Sequence, residues 1–103
     1  MNLREVILNC DQYADSEELM HMVFAKRTND AFEHLAEAKV LTLTLEEMEM
    51  KLTDIQSSKC PGYDYFLEMY IIQDFFADIK GLEAFKSDDE KVNRIIYYAE
   101  FDA

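Results

Sequence analysis

The sequence predicts an all-α protein, a compact bundle of four to five helices, from three observations. Helix-start signals recur along the chain, with an Asn, Asp, Ser or Thr followed three residues later by Glu: Asn2/Glu5, Asp15/Glu18, Thr44/Glu47 and Ser87/Glu90. Apolar residues recur three and four apart behind these starts. With 2 Gly and 1 Pro in 103 residues, turn chemistry is scarce, so elements should be few and long.

The first helix reads over about 3–13, with Leu3, Val6, Ile7, Cys10 and Tyr13 on one face. A long second helix is expected over 16–39 on the stripe Met20, Phe24, Ala31, Leu35 and Ala38, with a break near 27–29 where Arg27-Thr28-Asn29 is polar and weakly helical. Residues 40–43 alternate and are β-branched in part. They read as a connector rather than a strand, because no second strand is evident for them to pair with.

A third helix is expected over 45–56. Thr44 and Glu47 form a capping box, with Leu43 and Met48 placed as a hydrophobic staple around it. Ser57-Ser58-Lys59-Cys60-Pro61-Gly62 reads as a loop. The fourth helix, 63–80, ends with Lys80 followed by Gly81 and is apolar nearly all round. The fifth, 88–101, starts at Ser87/Glu90 and buries Val92, Ile95, Ile96 and Ala99. At this length, residues 1–103 form one acidic helical domain.

The charge bears on function. With 22 acidic and 10 basic residues the chain carries a formal net charge of −12. Nucleic-acid and anionic-membrane binding both need clustered Lys and Arg, so direct contact with either is excluded as an expectation. Basic protein surfaces are favoured partners, with association that weakens as salt rises. The longest apolar run is five residues, too short to cross a membrane. Cys10 and Cys60 stand 50 positions apart without a Cys-x-x-Cys neighbour, as expected of two reduced thiols. The opening Met1-Asn2-Leu3-Arg4-Glu5 lacks the order of a signal peptide. A cytoplasmic protein is expected.

No sequence signature of catalysis stands out: no Gly-rich phosphate loop, no Gly-x-Ser-x-Gly and no His-Glu-x-x-His. No enzyme, cofactor or metal site is expected. Two spacings bear on metals. Glu18-x-x-His21 is one Glu-x-x-His unit where a carboxylate di-metal bundle needs two, and Asp30, His34 and Glu37 would share a helix face. A carboxylate- and His-bound metal enzyme is therefore the weakest of the functional readings.

Carboxylates four apart on a helix lie about 6 Å from each other, within a factor of two of the phosphate rise along one DNA strand. Such pairs are Asp11/Asp15, Glu33/Glu37, Asp64/Glu68 and Asp74/Asp78. Random placement of the same acids gives about five pairs, so the spacing adds nothing beyond composition. On the fourth helix, Ile71 and Phe75 project among Asp64, Glu68, Asp74 and Asp78, as apolar anchors within an acidic rim would.

The leading expectation is a non-catalytic inhibitor or regulator that occupies a basic, nucleic-acid-binding surface of a partner protein, as a nucleic-acid mimic or an anti-defence or immunity-type inhibitor would. Its partner-binding residues are Glu33, Glu37, Asp64, Glu68, Ile71, Asp74, Phe75 and Asp78. The alternative is a structural or assembly module forming a helical homo-oligomer, with a homodimer through the fourth helix.

Overall fold

Residues expected in the long second helix instead form a β-strand, and this changes the fold class. The computed structural model of the protein describes residues 1–102. It is an α+β fold rather than an all-α bundle. The sheet has three antiparallel strands: β1 (Leu19–Ala25) in the centre, β2 (Ala38–Thr44) on one side and β3 (Asp64–Glu68) on the other. Five helices accompany it: α1 (Leu3–Leu8), α2 (Leu45–Met48), α3 (Leu52–Lys59), α4 (Met69–Ile79) and α5 (Asp88–Phe101). Short 3-10 turns occupy Cys10–Gln12 and Glu83–Phe85.

β1 is covered on both sides. Val23 and Ala25 enter a large cluster with Leu3, Val6, Ile7, Phe66, Ile72, Val92 and Ile95, which joins α1, α4 and α5 to one sheet face. Met22 and Phe24 enter a second cluster with Leu43, Ile55, Cys60 and Tyr63, under α3. A strand buried on both faces is apolar at consecutive positions, so Met22 to Ala25 shows no polar alternation. Met and Leu, which favour helices, complete the disguise. Leu35, part of the expected helical stripe, is 76% exposed.

The break expected near 27–29 is a tight turn. Thr28 and Ala31 exchange backbone hydrogen bonds of 2.8 and 3.1 Å. Asn29 and Asp30 between them have φ of 53° and 64°. Positive φ at both central residues is what a type I′ turn requires, and Asn and Asp tolerate it better than other side-chain-bearing residues. A loop then leads to β2, so the connector expected over 40–43 is a strand whose partner had gone unseen.

β3 takes the first part of the expected 63–80 helix. Its pairing with β1 slips between Val23 and Phe24, which face Leu67 and Tyr65, leaving Phe66 as the extra residue of a bulge. The bulge lets adjacent Phe66 and Leu67 both enter the large cluster. α4 therefore begins only at Met69 and stops at its C-cap, Lys80.

Three of the four expected start signals cap helices; Asp15/Glu18 does not, and Asp15 instead accepts from the His21 N–H at 2.9 Å. Asn2 accepts from the Glu5 N–H at 2.9 Å. Thr44 and Glu47 form the full capping box, and Ser87 accepts from the Glu90 N–H at 3.1 Å. Two expected helices are shorter than their periodicity implied. α1 ends at Leu8, where the Asn9 side chain donates to the Glu5 carbonyl. The expected 45–56 helix is interrupted between α2 and α3, and α3 runs on to Lys59, into the expected loop.

Candidate functional site

The strand at 64–68 separates carboxylates that a helix would have stacked. Four residues along a strand span about 13 Å, against about 6 Å on a helix. Asp64 faces Arg27 at 3.4 Å and accepts from Gln56 at 3.3 Å. Glu68 stands at the N-cap position of α4 and accepts the Tyr65 hydroxyl hydrogen bond. Burial and that carboxylate push the Tyr65 phenol above its ordinary range. Glu33 and Glu37 lie in the loop before β2 and not on a helix. Glu33 is exposed, and Glu37 pairs with Lys26 at 2.8 Å, which holds its carboxyl below the usual range. Asp11 and Asp15 likewise share no helix, so of the four carboxylate pairs only Asp74/Asp78 keeps helical spacing, on α4.

Ile71 and Phe75 also lie on α4, but half-buried and packed against the large cluster. Phe75 meets the Tyr98 ring at 4.9 Å, and the Arg94 guanidinium lies 5.0 Å over its face. Phe75 therefore contributes to the seam between α4 and α5, and Ile71 to the packing of the large cluster. On α5, Tyr97 (52% exposed) and Phe101 (64%) reach solvent one turn apart with rings 4.8 Å apart, and on α4 Tyr70 is also exposed.

The metal-type spacings dissolve with the second helix. His21 is on β1, and its Nδ1 and backbone N–H both lie 2.9 Å from the Asp15 carboxylate. His34 Nε2 lies 2.5 Å from the Asn93 side-chain oxygen, and Glu37 belongs to Lys26. Among the described residues no three His, Cys, Asp or Glu side chains gather as a metal site would require. Cys10 and Cys60 are both buried, in separate clusters, with free thiols. Burial, with Asp11 adding to it, pushes the Cys10 thiol up to about 11, so it is a poor nucleophile at neutral pH.

The cations are largely engaged within the fold. Arg4 pairs with Asp89, Lys59 with Glu47 and Lys86 with Glu83. Arg27 is a junction, reaching Asp64, Glu100 and the Asp30 carbonyl while stacking 4.1 Å over the Phe32 ring. Among the described residues no charged side chain is fully buried, so the acid excess is carried at the surface.

Sequence reasoning missed one surface feature, formed where β1 begins and β2 ends. Glu18, Leu19, Thr44, Leu45 and Glu46 line a shallow hollow of about 370 Å³. Leu19 is 40% and Leu45 56% exposed. Glu18 and Glu46 are exposed and, among the described residues, in no ion pair. The signal was present in Thr42-Leu43-Thr44, whose alternation belongs to a strand, but the hollow needs β1 beside it.

Comparison with known proteins finds no match: no family model, no curated protein and no solved structure resembles this chain. Among the described residues no helix is long and apolar enough to cross a membrane.

Proposed function

We propose that the protein is a non-catalytic acidic binding module that occupies a basic surface of a partner protein, of the kind that holds nucleic acid. One observation carries this reading. The fold engages Arg4, Lys26, Arg27, Lys59 and Lys86 with its own carboxylates, while acids such as Glu17, Glu18, Glu46, Asp74, Asp78 and Asp88 face solvent. What remains is an outward negative field, which steers a basic partner and repels nucleic acid. The proposal includes a cytoplasmic setting, supported by the two buried free thiols.

The test is capture of partners from cell extract at low salt, followed by elution with either salt or duplex DNA. The reading expects both to release the same protein. It also expects that protein's affinity to fall at least about tenfold between roughly 50 and 300 mM salt, as exposed charges are screened. An affinity unchanged by salt refutes it. Release by salt but not by DNA refutes the part that concerns a nucleic-acid site.

A second reading, a homo-oligomer, is favoured by the exposed Tyr97/Phe101 pair on α5. Sedimentation of wild type against Tyr97→Ser/Phe101→Ser decides it. A dimer lost in the double variant supports this reading, and a wild-type monomer at tens of micromolar removes it.

A further inference from the structure

Among the described residues the outer edge of β2 is unpaired at Val40 and Thr42, while beside them it already takes an antiparallel bridge from extended backbone at Asn2. Lys26 N–H donates to the Glu37 carbonyl at 2.9 Å, in step with the β1–β2 register. Antiparallel pairs alternate, so Phe24/Lys39, Met22/Leu41 and Met20/Leu43 exchange hydrogen bonds within the sheet. The backbone groups of Ala38, Val40 and Thr42 therefore point away from β1. Ala38 does so with a partner, donating to the Met1 carbonyl at 3.0 Å beside an antiparallel bridge between Asn2 and Glu37. Val40 and Thr42 continue the same row, and among the described residues neither has a partner on that side.

The open stretch leads toward the hollow. Its apolar lining, Leu19 and Leu45, suits the methylene stem of a Lys or Arg, and Glu18 and Glu46 beside it suit the cationic head. Lys39 stands at the other end, nearer Met1, so the charge along the edge is polarised.

We propose that β2 takes an extended basic segment of the partner protein as a fourth strand. The segment runs antiparallel to β2 in line with Met1–Asn2 and sets an Arg or Lys into the hollow. The proposal rests on the reading of the protein as a binder of basic surfaces and adds the docking mode. Backbone hydrogen bonds give it affinity, and the acidic hollow gives it side-chain preference.

The probe is a fluorescein-labelled peptide of alternating Arg and Val, about seven residues long, measured by anisotropy at low salt. Two N-methylated isomers are compared with it, one methylated at every Arg and one at every Val. A strand directs alternate N–H groups to opposite sides, so one isomer should lose about tenfold or more in affinity and the other stay within about twofold. Glu18→Gln/Glu46→Gln should weaken the parent peptide by about fivefold or more. Thr42→Pro, which removes an outward N–H from an edge strand, should weaken it by a similar factor. The peptide isomers keep the test valid if the Pro variant folds poorly.

Equal binding of both isomers and the parent overturns the strand proposal and leaves the basic-surface reading standing. So does failure of the peptide to bind when a basic protein partner binds salt-sensitively. If neither peptide nor any basic protein binds at low salt, the underlying reading falls as well. A wild-type dimer that Thr42→Pro dissociates also overturns the proposal, since the edge would then be covered by a second copy of this chain.

Discussion

Replacing Arg27 with Met tests whether one cation holds the turn after β1 to both β3 and α5. The guanidinium lies 3.4 Å from Asp64, 3.2 Å from both Glu100 oxygens and 4.1 Å over the Phe32 ring. Its side chain is one third exposed, Asp64 about half and Glu100 16%, so the two ion pairs differ in worth. The exposed Asp64 pair contributes about 0.3 kcal/mol, and the better-covered, two-pronged Glu100 pair about 1 kcal/mol. Stacking on Phe32 adds about 0.5–1 kcal/mol, part of which Met retains as apolar contact. Glu100 is not stranded by the change, because it still accepts the Phe32 N–H at 2.8 Å. The net loss should be about 1.5–2 kcal/mol, which in a domain of this size lowers Tm by roughly 10 °C. Urea denaturation gives the free energy directly. Repeating it in about 1 M NaCl, where screening acts over about 3 Å, should shrink the difference. Arg27→Lys should recover only part of the loss, because an ammonium cannot fork to two carboxylates while lying flat on a ring. A loss below about 0.5 kcal/mol for Arg27→Met, or Arg27→Lys equal to wild type, would refute the reasoning.

Three further outcomes are expected. Glu47 has its carboxyl lowered to about 2, first by Lys59 and then by the Thr44 N–H of the capping box, from an ordinary value of 4.5. Its contribution to stability is therefore present above about 4.5 and lost as pH falls toward 2, and Glu47→Gln should flatten that part of a stability–pH curve measured by urea melts. Asp30→Gly, at φ 64° in the Thr28–Ala31 turn, should stabilise by about 0.5–1 kcal/mol in the same assay, since Asn-Gly suits a type I′ turn better than Asn-Asp; a loss of stability would argue against the turn. Gln73 on α4 donates to the Cys10 carbonyl at 2.8 Å and to that of Tyr13, so Gln73→Leu should cost about 2 kcal/mol or more by leaving two partly buried acceptors unpaired, and a cost near zero would show that water replaces it.

Local signals in the sequence were legible, and those that depend on distant contacts were not. Capping at Asn2, Thr44 and Ser87 involves groups three residues apart, and these three of the four expected starts are present, with α5 spanning the expected 88–101, whereas Asp15/Glu18 precedes a strand. β1 depends instead on burial from both sides: Met22 and Phe24 face α3 while Val23 and Ala25 face α1, α4 and α5. Its apolar run is equally compatible with a buried helix until Thr28-Asn29-Asp30-Ala31 is recognised as a turn. In the sequence the turn shows only as a break near 27–29 and residues 40–43 only as an alternating connector, and each is meaningful as part of a sheet only with the other. β3 was concealed by its bulge, which places Phe66 and Leu67 on one side and erases period two.

The strands also explain why the expected partner-binding residues lose their helical spacing. Every carboxylate pair among them assumed helical spacing, and only Asp74/Asp78 lies on a helix; Ile71 and Phe75 beside them pack against the large cluster. A binding surface built from helix faces would depend on rows of charge about 6 Å apart, and of the four carboxylate pairs spaced four apart only Asp74/Asp78 lies on a helix among the described residues. A sheet edge presents a different kind of recognition, with backbone groups at fixed intervals and side chains alternating above and below. Edge strands are commonly protected by charge or cover, because an open one invites pairing. Here the Met1 carbonyl accepts from the Ala38 N–H beside the Asn2–Glu37 bridge, and Lys39 follows. Past Lys39, the edge at Val40 and Thr42 leads to carboxylates that would repel another copy of this acidic chain and attract a basic one. Like charge thus guards the edge against self-association while leaving it available to a cationic strand.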